Sequence, residues 1–369
     1  MTLRILVVGA GISGLAAARG LRVAGFRPDV VEELPATTVP GAGIYLPGNA
    51  SRALRMLGLD APLRPLGDLI FRHVFQTAAG DGLFEVDVAA LWAAVGESRA
   101  LSRADLQQVL LTGVGGEVRY DTAVRELEII DGAAKVEFGS GAVAEYDLVI
   151  GADGRRSTIR TKAGLGGPAV PTGQIVYRSV VSGGPALSDW TTLIGDRSQV
   201  VVMPMGGRRL YLYADETAGP ETPNPADPRA HLREVFAGYG GPVPAILAAI
   251  EKVQVARTDE VVLESWSKGP VLLVGDAAHA TSPTLSQGAA MALEDAVVLG
   301  EVLKASSDDV PAALREYEQR RRERCDQVRE WTRERDRTRD EPPVERDPML
   351  RGRGQRIFAE HYRGLAEAF

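Results

Sequence analysis

Three glycines near the start of the chain have the type and spacing needed to bind the phosphates of a dinucleotide. Gly9, Gly11 and Gly14 form a G-x-G-x-x-G pattern between an apolar run and a segment of helical periodicity, and Glu32 ends the next β-branched run. The first glycine permits a tight turn, the second lets the backbone approach a pyrophosphate, and the third lets the helix pack on the strand. The helix N-terminus attracts phosphate, and the acid accepts the ribose hydroxyls. The pattern predicts a site for FAD or NAD rather than NADP, because the acid favours a free ribose diol.

Two later segments place polar residues where apolar runs end. Residues 147–160 read DLVIGADGRRSTIR, and residues 271–295 read VLLVGDAAHATSPTLSQGAAMALED. A ribityl hydroxyl needs an acceptor, which Asp276 supplies at a predicted strand end. Gln287 and Gly288 begin a predicted helix whose N-terminus can stabilise negative charge on a reduced flavin.

With the glycine motif, these segments resemble the FAD-dependent aromatic hydroxylases, the single-component flavoprotein monooxygenases of the para-hydroxybenzoate hydroxylase type. The resemblance spans about residues 3 to 330, and residues 101–106 (LSRADL) are similar to the helix start where the family's arginine, here Arg103, reaches the flavin nucleotide. It implies that Asp153 and Gly154 contact FAD and the nicotinamide nucleotide, and that Asp276 holds the ribityl chain beside Pro283 at the ring. The cofactor-binding residues expected on this basis are Gly9, Gly11, Ser13, Gly14, Glu32, Glu33, Gly43, Arg103, Asp153, Gly154, Gly275, Asp276, Pro283, Gln287, Gly288 and Ala289.

Three residues qualify the resemblance. Glu33 stands where many relatives have a basic residue, which weakens a phosphate contact there. Ser286 stands where they commonly have glycine and adds a hydroxyl near the expected oxygen site. His279 is expected to fix its loop by hydrogen bonding rather than to act as a base.

Candidate substrate-binding residues lie on predicted strands of a second domain. Alternation places Phe71, His73 and Phe75 on one face, which forms either an aromatic slot for a flat substrate or a core face with a hydrogen-bonded histidine. Further candidates are Arg178, Gln199, Met203, Tyr211 and Tyr213. Tyr211 is favoured because its strand follows a Met-Pro-Met turn, as in relatives that place a tyrosine in the pocket. Tyr211, Arg178 and His73 are the candidate catalytic residues, no acid–base pair stands out, and no metal site is expected.

The hydrophobic pattern predicts an α/β fold. Short apolar runs are typical of the buried strands of a doubly wound, Rossmann-like sheet, here of the glutathione-reductase type, whereas the alternation from residue 69 predicts an antiparallel substrate domain with one face free to cover a ligand. We expect an FAD-binding domain of residues 1–68, 98–173 and 256–310, a substrate domain of residues 69–97 and 174–255, and a C-terminal helical extension of residues 311–369.

The C-terminal extension contains two kinds of helical pattern. Residues 315–340 carry nearly balanced arginines and acids, which predicts a solvated helix laced with ion pairs. Apolar residues then recur at helical intervals and predict a helix that docks on the body or on a second subunit. They are Ile357, Phe358, Tyr362, Leu365 and Phe369.

Composition excludes several function classes. The 42 basic and 49 acidic residues give a formal net charge of −7, which argues against nucleic-acid binding. Cys325 is the only cysteine, so the sequence has no internal disulfide, paired-cysteine redox centre or thiolate cluster. No apolar run approaches the roughly 18 residues of a membrane span. We expect a cytoplasmic monomer or homodimer without membrane partners.

The resemblance implies that NADH or NADPH reduces bound FAD and that one atom of molecular oxygen enters an aromatic or electron-rich heterocyclic metabolite. Hydroxylation is the expected outcome, with epoxidation or insertion next to a carbonyl as variants. A flavin-dependent halogenase is one alternative, although its paired-tryptophan motif is missing. A flavoprotein that only binds or senses an aromatic ligand is another. An NAD-dependent dehydrogenase would leave residues 153–154 and 275–276 without a task.

Overall fold

The computed structural model describes residues 3–38, 41–115, 117–219 and 222–369. The strands in these ranges are β1 (Ile5–Val8), β2 (Asp29–Val31), β3 (Gly43–Leu46), β4 (Asp68–Leu69), β5 (Arg72–Thr77), β6 (Gly82–Asp87), β7 (Arg99–Ser102), β8 (Val124–Ile130), β9 (Ala133–Phe138), β10 (Val143–Tyr146), β11 (Leu148–Gly151), β12 (Val170–Ser182), β13 (Trp190–Ile194), β14 (Ser198–Pro204), β15 (Arg209–Thr217), β16 (Gln254–Glu260), β17 (Ser267–Lys268) and β18 (Val271–Leu273). The helices are α1 (Ile12–Val23), α2 (Gly48–Met56), α3 (Asp60–Leu63), α4 (Val88–Trp92), α5 (Arg103–Gly113), α6 (Thr158–Lys162), α7 (Pro228–Val235), α8 (Val243–Ala249), α9 (Asp276–His279), α10 (Gly288–Ala305), α11 (Val310–Asp340) and α12 (Pro343–Ala366), with a 3₁₀ turn at Pro283–Leu285.

A largely parallel sheet has the order β17-β18-β11-β1-β2, with only β17 antiparallel to its neighbour. Every residue of β1 and β11 is buried, as in parallel sheets covered on both faces. In the register Val8 lies opposite Gly151, and Gly151 lies opposite Leu273. The residues that follow these three strands therefore meet at one edge of the sheet, which is where ligands bind in doubly wound folds.

A second sheet of seven strands has the order β16-β12-β15-β14-β13-β5-β6 and is antiparallel except between β13 and β5. Because side chains alternate along a strand, each strand serves two environments. Val200 and Leu212 pack with helices α7 and α8 in one hydrophobic cluster. Val201 and Tyr213 project to the opposite face, toward the parallel sheet. The seven-stranded sheet is thus filled on one face and available for a ligand on the other.

The mixed α/β architecture with C-terminal helices confirms the predicted fold class. Two small antiparallel sheets, β3-β7-β4 and β10-β9-β8, complete it. Strand β12 begins at Val170 and β16 ends at Glu260, so both cross the expected domain boundaries at residues 173 and 256. The division of the chain into domains stays a prediction.

The C-terminal helices dock on the body of the same chain. Phe358, Tyr362 and Leu365 are buried, and a Cβ added to Gly354 would lie 2.4 Å from the ring of Phe84 on β6. The expected ion pairs are present along α11, as between Arg322 and Glu318 and between Arg329 and Asp326. The expectation that the helix is solvated is wrong for one face, because Arg321 is fully buried against two acids of α10.

None of the helices in the described ranges is both long and apolar enough to span a bilayer.

Candidate functional site

A cavity of about 410 Å³ lies between the carboxyl edge of the parallel sheet and the free face of the seven-stranded sheet. Its first end is lined by the loop of the glycine motif, residues 41–45 and residues 280–284. Its second end is lined by β5, β6, β13, β14 and β15, together with α11 and α12. The cavity therefore joins the segments expected to bind FAD with those expected to bind substrate.

The glycine motif forms a cradle from which side chains are excluded. A Cβ at Gly14 would lie 1.8 Å from the carbonyl oxygen of Gly9, and a Cβ at Gly9 would lie 2.5 Å from that of Ala152. Gly9 also has φ +104°, which L side chains rarely adopt. In front of Gly11 there is open space, and Gly11 lines the cavity. The first and third glycines thus permit close packing, and the second leaves room for a ligand.

Two helix N-termini open on this end of the cavity without a side-chain cap. Helix α1 begins after Gly11 and α10 begins after Gln287, and neither N-cap residue accepts a capping hydrogen bond. The first N–H groups of a helix have no intrahelical partner and carry partial positive charge. The pair can therefore hold anionic groups such as a pyrophosphate or a reduced flavin ring.

The turn at Gly275 and Asp276 is held by a buried ion pair. Asp295 Oδ2 accepts hydrogen bonds from the Gly275 N–H at 2.9 Å and from His279 Nε2 at 2.7 Å. Burial opposes charge on both side chains. Attraction to His279 and Arg321 nevertheless holds the pKa of Asp295 below its usual value, and interactions with Cys325 and Asp295 hold that of His279 above its usual value. His279 thus fixes this turn through a hydrogen bond, as expected, and it does so as a cation, while Asp276 lines the cavity.

The polar groups at this end fit FAD. The structure records no hydrogen bond to the Asp276 carboxylate within the described ranges, so it is free to accept from a ribityl hydroxyl. The Ser13 hydroxyl and Gln287 Nε2 are buried and have no partner in the described part of the chain. Arg103 lines the cavity without an ion pair to a described carboxylate, and its burial lowers its pKa, an effect that Asp276 partly offsets. Such unpaired buried groups are costly unless a ligand satisfies them.

Other predicted cofactor residues are occupied with their own loops. Glu32 accepts hydrogen bonds from the N–H groups of Ala10 at 2.8 Å and Leu34 at 3.0 Å. Asp153 accepts from the N–H groups of Thr158 and Ile159 and so organises the start of α6.

The predicted site residues divide according to whether they border the cavity. Those that line it are Gly11, Ser13, Gly43, His73, Phe75, Arg103, Gly154, Arg178, Gln199, Met203, Tyr211, Tyr213, Asp276, Pro283, Gly288 and Ala289. Those that do not are Gly9, Gly14, Glu32, Glu33, Asp153, Gly275 and Gln287. Contact of these residues with cofactor or substrate stays a prediction.

Stacked aromatic rings form one wall of the second end of the cavity. This aromatic wall consists of His73, Phe75, Phe84 and Trp190, in which the His73 ring lies 3.5 Å from Trp190 and 3.9 Å from Phe75, and Phe75 lies 4.2 Å from Phe84 between centroids. The register explains the stack, because His73 lies opposite Trp190 and Phe75 opposite Phe84. The inclusion of Phe71 in a three-ring slot is wrong, since Phe71 precedes β5 and is 59% exposed. Trp190, on a strand that the sequence pattern did not reveal, supplies a ring instead.

His73 is both part of this packed face and a cavity residue. Its Nε2 lies 2.8 Å from Thr192 Oγ1, while Nδ1 is buried and has no partner among the described residues. Burial, with a further contribution from nearby Arg335, lowers the pKa of His73 well below its usual value. The imidazole is therefore neutral at physiological pH.

Tyr211 connects the two ends of the cavity. A Cβ added to Gly43 would lie 2.3 Å from Tyr211 Cγ, so glycine is needed there for the ring to sit on the loop. Burial raises the pKa of the Tyr211 phenol, which is thus protonated at neutral pH. Arg178 on β12 lies opposite Tyr213 on β15, and its Cζ is 5.9 Å from the centroid of the Tyr213 ring.

The C-terminal helices contribute cavity residues that sequence reasoning missed. Arg335, Leu350, Phe358 and His361 all line the second end of the cavity. The helical spacing of Phe358 and its apolar neighbours indicated a buried face but not what that face would border.

Comparison with known proteins identifies relatives over most of the chain. A family model described as an FAD binding domain matches residues 2–332. The chain is 32% identical over 339 residues to the FAD-dependent urate hydroxylase of Klebsiella pneumoniae subsp. pneumoniae, covering 89% of this chain and 87% of that protein. It is 30% identical over 347 residues to the 6-hydroxynicotinate 3-monooxygenase of Bordetella bronchiseptica, covering 88% and 89%. The crystal structure of Klebsiella pneumoniae HpxO complexed with FAD and uric acid superposes with a TM-score of 0.87 and 28% identity, covering 99% and 97%.

Proposed function

The chain belongs to the FAD-dependent aromatic hydroxylases, and we propose that it uses NAD(P)H and molecular oxygen to hydroxylate a planar aromatic or heterocyclic small molecule. It is an FAD-dependent monooxygenase by this membership. The observation that carries the proposal is the single cavity that runs from the two uncapped helix N-termini to the aromatic wall. A planar ligand against that wall would share one enclosed space with the flavin.

Residues at the first end of the cavity would hold FAD. The N-termini of α1 and α10 would face its anionic groups, Asp276 would accept from a ribityl hydroxyl, and Ser13 and Arg103 would donate to polar atoms of the nucleotide. The chemistry that bound FAD supplies is oxidation of NAD(P)H and transfer of one oxygen atom to the substrate.

The chain's own residues would position the substrate. The aromatic wall offers ring faces and edges against which a planar substrate packs. With Nε2–H donated to Thr192, the Nδ1 lone pair of neutral His73 can accept a hydrogen bond from a ring hydroxyl. This contact would orient the ring and increase its electron density. Tyr211 and Arg178 border the space between this position and the glycine loop.

The test is a screen of the purified flavoprotein with hydroxybenzoates, hydroxynicotinates and purines. We expect at least one compound to accelerate NAD(P)H oxidation and to gain one ¹⁸O atom under ¹⁸O₂, detected by mass spectrometry. His73→Phe should retain FAD but lose most of this product, and Phe71→Ala, at an exposed position outside the cavity, serves as the matched control. A protein that purifies without flavin, or that oxidises NAD(P)H without an oxygenated product from any compound, would contradict the proposal.

A further inference from the structure

Arg335, on α11, presents a guanidinium without an acidic partner at the second end of the cavity. Its Nε donates to His361 Nδ1 at 3.2 Å, and its Cζ lies 4.1 Å from the ring centroid of Phe358 and 5.3 Å from that of Tyr362. It forms no ion pair with any carboxylate in the described part of the chain, and Nη2 is buried without a hydrogen-bond partner there. The guanidinium is therefore surrounded by ring faces and has no directly paired carboxylate among the described residues.

No carboxylate of the described residues bonds directly to Arg335, although Glu334 and Asp336 lie near it on the same helix. Burial and the nearby guanidinium lower the pKa of His361 to about 4, so its ring is neutral at pH 7. Nδ1 then accepts from Arg335, and Nε2 donates to Glu334, whose Oε2 lies 3.3 Å away. Asp336, the next acid on the helix, accepts instead from Thr284. Burial lowers the pKa of Arg335, an effect that Tyr362 and the two acids, Glu334 and Asp336, only partly offset.

Two other arginines of the cavity have acidic partners of their own, and a third lies at the opposite end. Arg339 pairs with Asp215 at 2.6 Å, and Arg155 pairs with Asp259 at 2.7 Å. Arg103 is close to Asp276 at the first end of the cavity, where the phosphates and the ribityl chain would lie. Arg335 differs from these in its position among the rings at the substrate end.

The position of Arg335 relates it to the aromatic wall. Phe358 contacts both, since its ring centroid lies 5.3 Å from that of His73 and 4.1 Å from the guanidinium carbon of Arg335. A planar molecule packed against the wall would therefore have a cation near its edge. Arg335 also lies beyond residue 332, where the match to the family model ends.

We propose that Arg335 binds the negatively charged group of the substrate, so that the enzyme acts on planar aromatic or heterocyclic acids that are ionised at neutral pH. The proposal rests on the proposed function and narrows its substrate class. The planar guanidinium donates in-plane hydrogen bonds that match a carboxylate or the enolate oxygens of an ionised heterocycle. An anion would replace the missing counter-charge, whereas a neutral analogue would leave it missing.

The experiment compares acids with their neutral amides in the FAD-loaded protein. 3-Hydroxybenzoate is paired with 3-hydroxybenzamide, 6-hydroxynicotinate with 6-hydroxynicotinamide, and urate represents enolate anions. Binding is followed by the change in the flavin absorption spectrum, independently of turnover. The variants are Arg335→Gln and, as the matched control, Arg337→Gln, an exposed arginine on the same helix.

We expect the wild-type protein to bind at least one acid at least ~tenfold more tightly than its amide, or to bind urate, as for a charge-assisted hydrogen bond. Arg335→Gln should lower the affinity for that acid, or for urate, by at least ~tenfold and leave the affinity for the amide within about twofold. Arg337→Gln should change neither affinity. A loss confined to the benzoate and nicotinate would identify a carboxylate as the bound group, and a loss confined to urate would identify an enolate.

Several results would overturn the proposal. They are an absence of anion binding by the wild-type protein, retention of anion affinity by Arg335→Gln, the same loss in Arg337→Gln, or equal losses for acid and amide, which would indicate a purely structural role. Flavin content and thermal unfolding establish that each variant is folded. If Arg335→Gln loses FAD, the test uses Arg335→Lys, which keeps the positive charge but not the planar guanidinium. This variant should bind the anion at least ~threefold more weakly than the wild type and bind the amide equally well. Absence of flavin or of any oxygenated product in the wild type would instead refute the proposed function.

Discussion

Replacement of Arg321 by methionine should both destabilise the fold and weaken FAD binding. Arg321 is fully buried, and its Nη1 and Nε lie 2.8 Å from Glu294 Oε2 and Asp295 Oδ1. Asp295 also holds the Gly275 N–H at 2.9 Å, so the guanidinium supports the turn that presents Asp276. The substitution keeps much of the apolar stem but removes the charge.

The remaining contacts set the magnitude. Removing one partner from a buried ion pair costs about 3 to 5 kcal/mol, because the other charge is left uncompensated. Here Glu294 keeps Arg324 at 2.8 Å, and Asp295 keeps His279 at 2.7 Å. We therefore expect a loss near the lower limit, about 3 kcal/mol in the free energy of unfolding.

Urea unfolding followed by circular dichroism, together with FAD titration by flavin fluorescence, measures both effects. The control is Arg320→Met, the same change at the adjacent, partly exposed residue, whose pair with Glu301 is worth at most about 1 kcal/mol. Equal unfolding free energies for the two variants would refute the argument from burial. A destabilised Arg321→Met with unchanged FAD affinity would refute the link to the Gly275 turn.

Three further substitutions test other contacts in the structure. Glu32→Ala removes the acceptor for the Ala10 N–H and the acceptor predicted for the ribose hydroxyls, and it should lower FAD affinity by roughly ten- to more than a hundredfold, about 1.5 to 3 kcal/mol. Full affinity in a fluorescence titration would contradict the ribose assignment. Asp276→Ala should reduce FAD retention on gel filtration while urea unfolding of the apoprotein changes by less than about 0.5 kcal/mol, since no described protein group bonds to that carboxylate; retained flavin would contradict this. His361 has an ordinary pKa of 6.5 when unfolded and about 4 when folded, so the unfolded chain binds the extra proton between these values and the free energy of unfolding falls by about 1 to 2 kcal/mol from pH 7 to pH 5. His361→Gln should lose this part of the pH dependence in urea titrations, and an unchanged slope would show that the histidine is charged in the fold.

The residues at the first end of the cavity could be predicted because the sequence signals that mark them are local. Turn glycines, an apolar run and a polar residue at each strand end identify β1, β11 and β18, and parallel pairing then places those ends at one edge. Tertiary hydrogen bonds were not visible in this pattern. For Glu32 and Asp153, contacts with their own loops depend on how the chain folds back.

The second end of the cavity was less predictable because the hydrophobic pattern of the segments that line it is ambiguous. All five residues of β13 are buried, so the strand shows no alternation, and Trp190 was missed. Phe71 fits the alternation of β5 but lies before the strand begins. The arginines of α11 appear solvated in sequence, and only the packing on α10 shows that Arg321 is buried among acids. The charge pattern of a helix shows which residues share a face, but it does not show whether that face packs against another helix.

Stopped-flow measurement of flavin reduction by NAD(P)H, with and without a ligand from the acid panel, tests most directly the central claim that cofactor and substrate share one cavity. A ligand held against the aromatic wall should control the reaction of the flavin, so reduction should accelerate by at least tenfold when an accepted acid is present, equivalent to about 1.4 kcal/mol of barrier. Reduction at the same rate with and without every ligand, or a requirement for a separate reductase, would contradict the account.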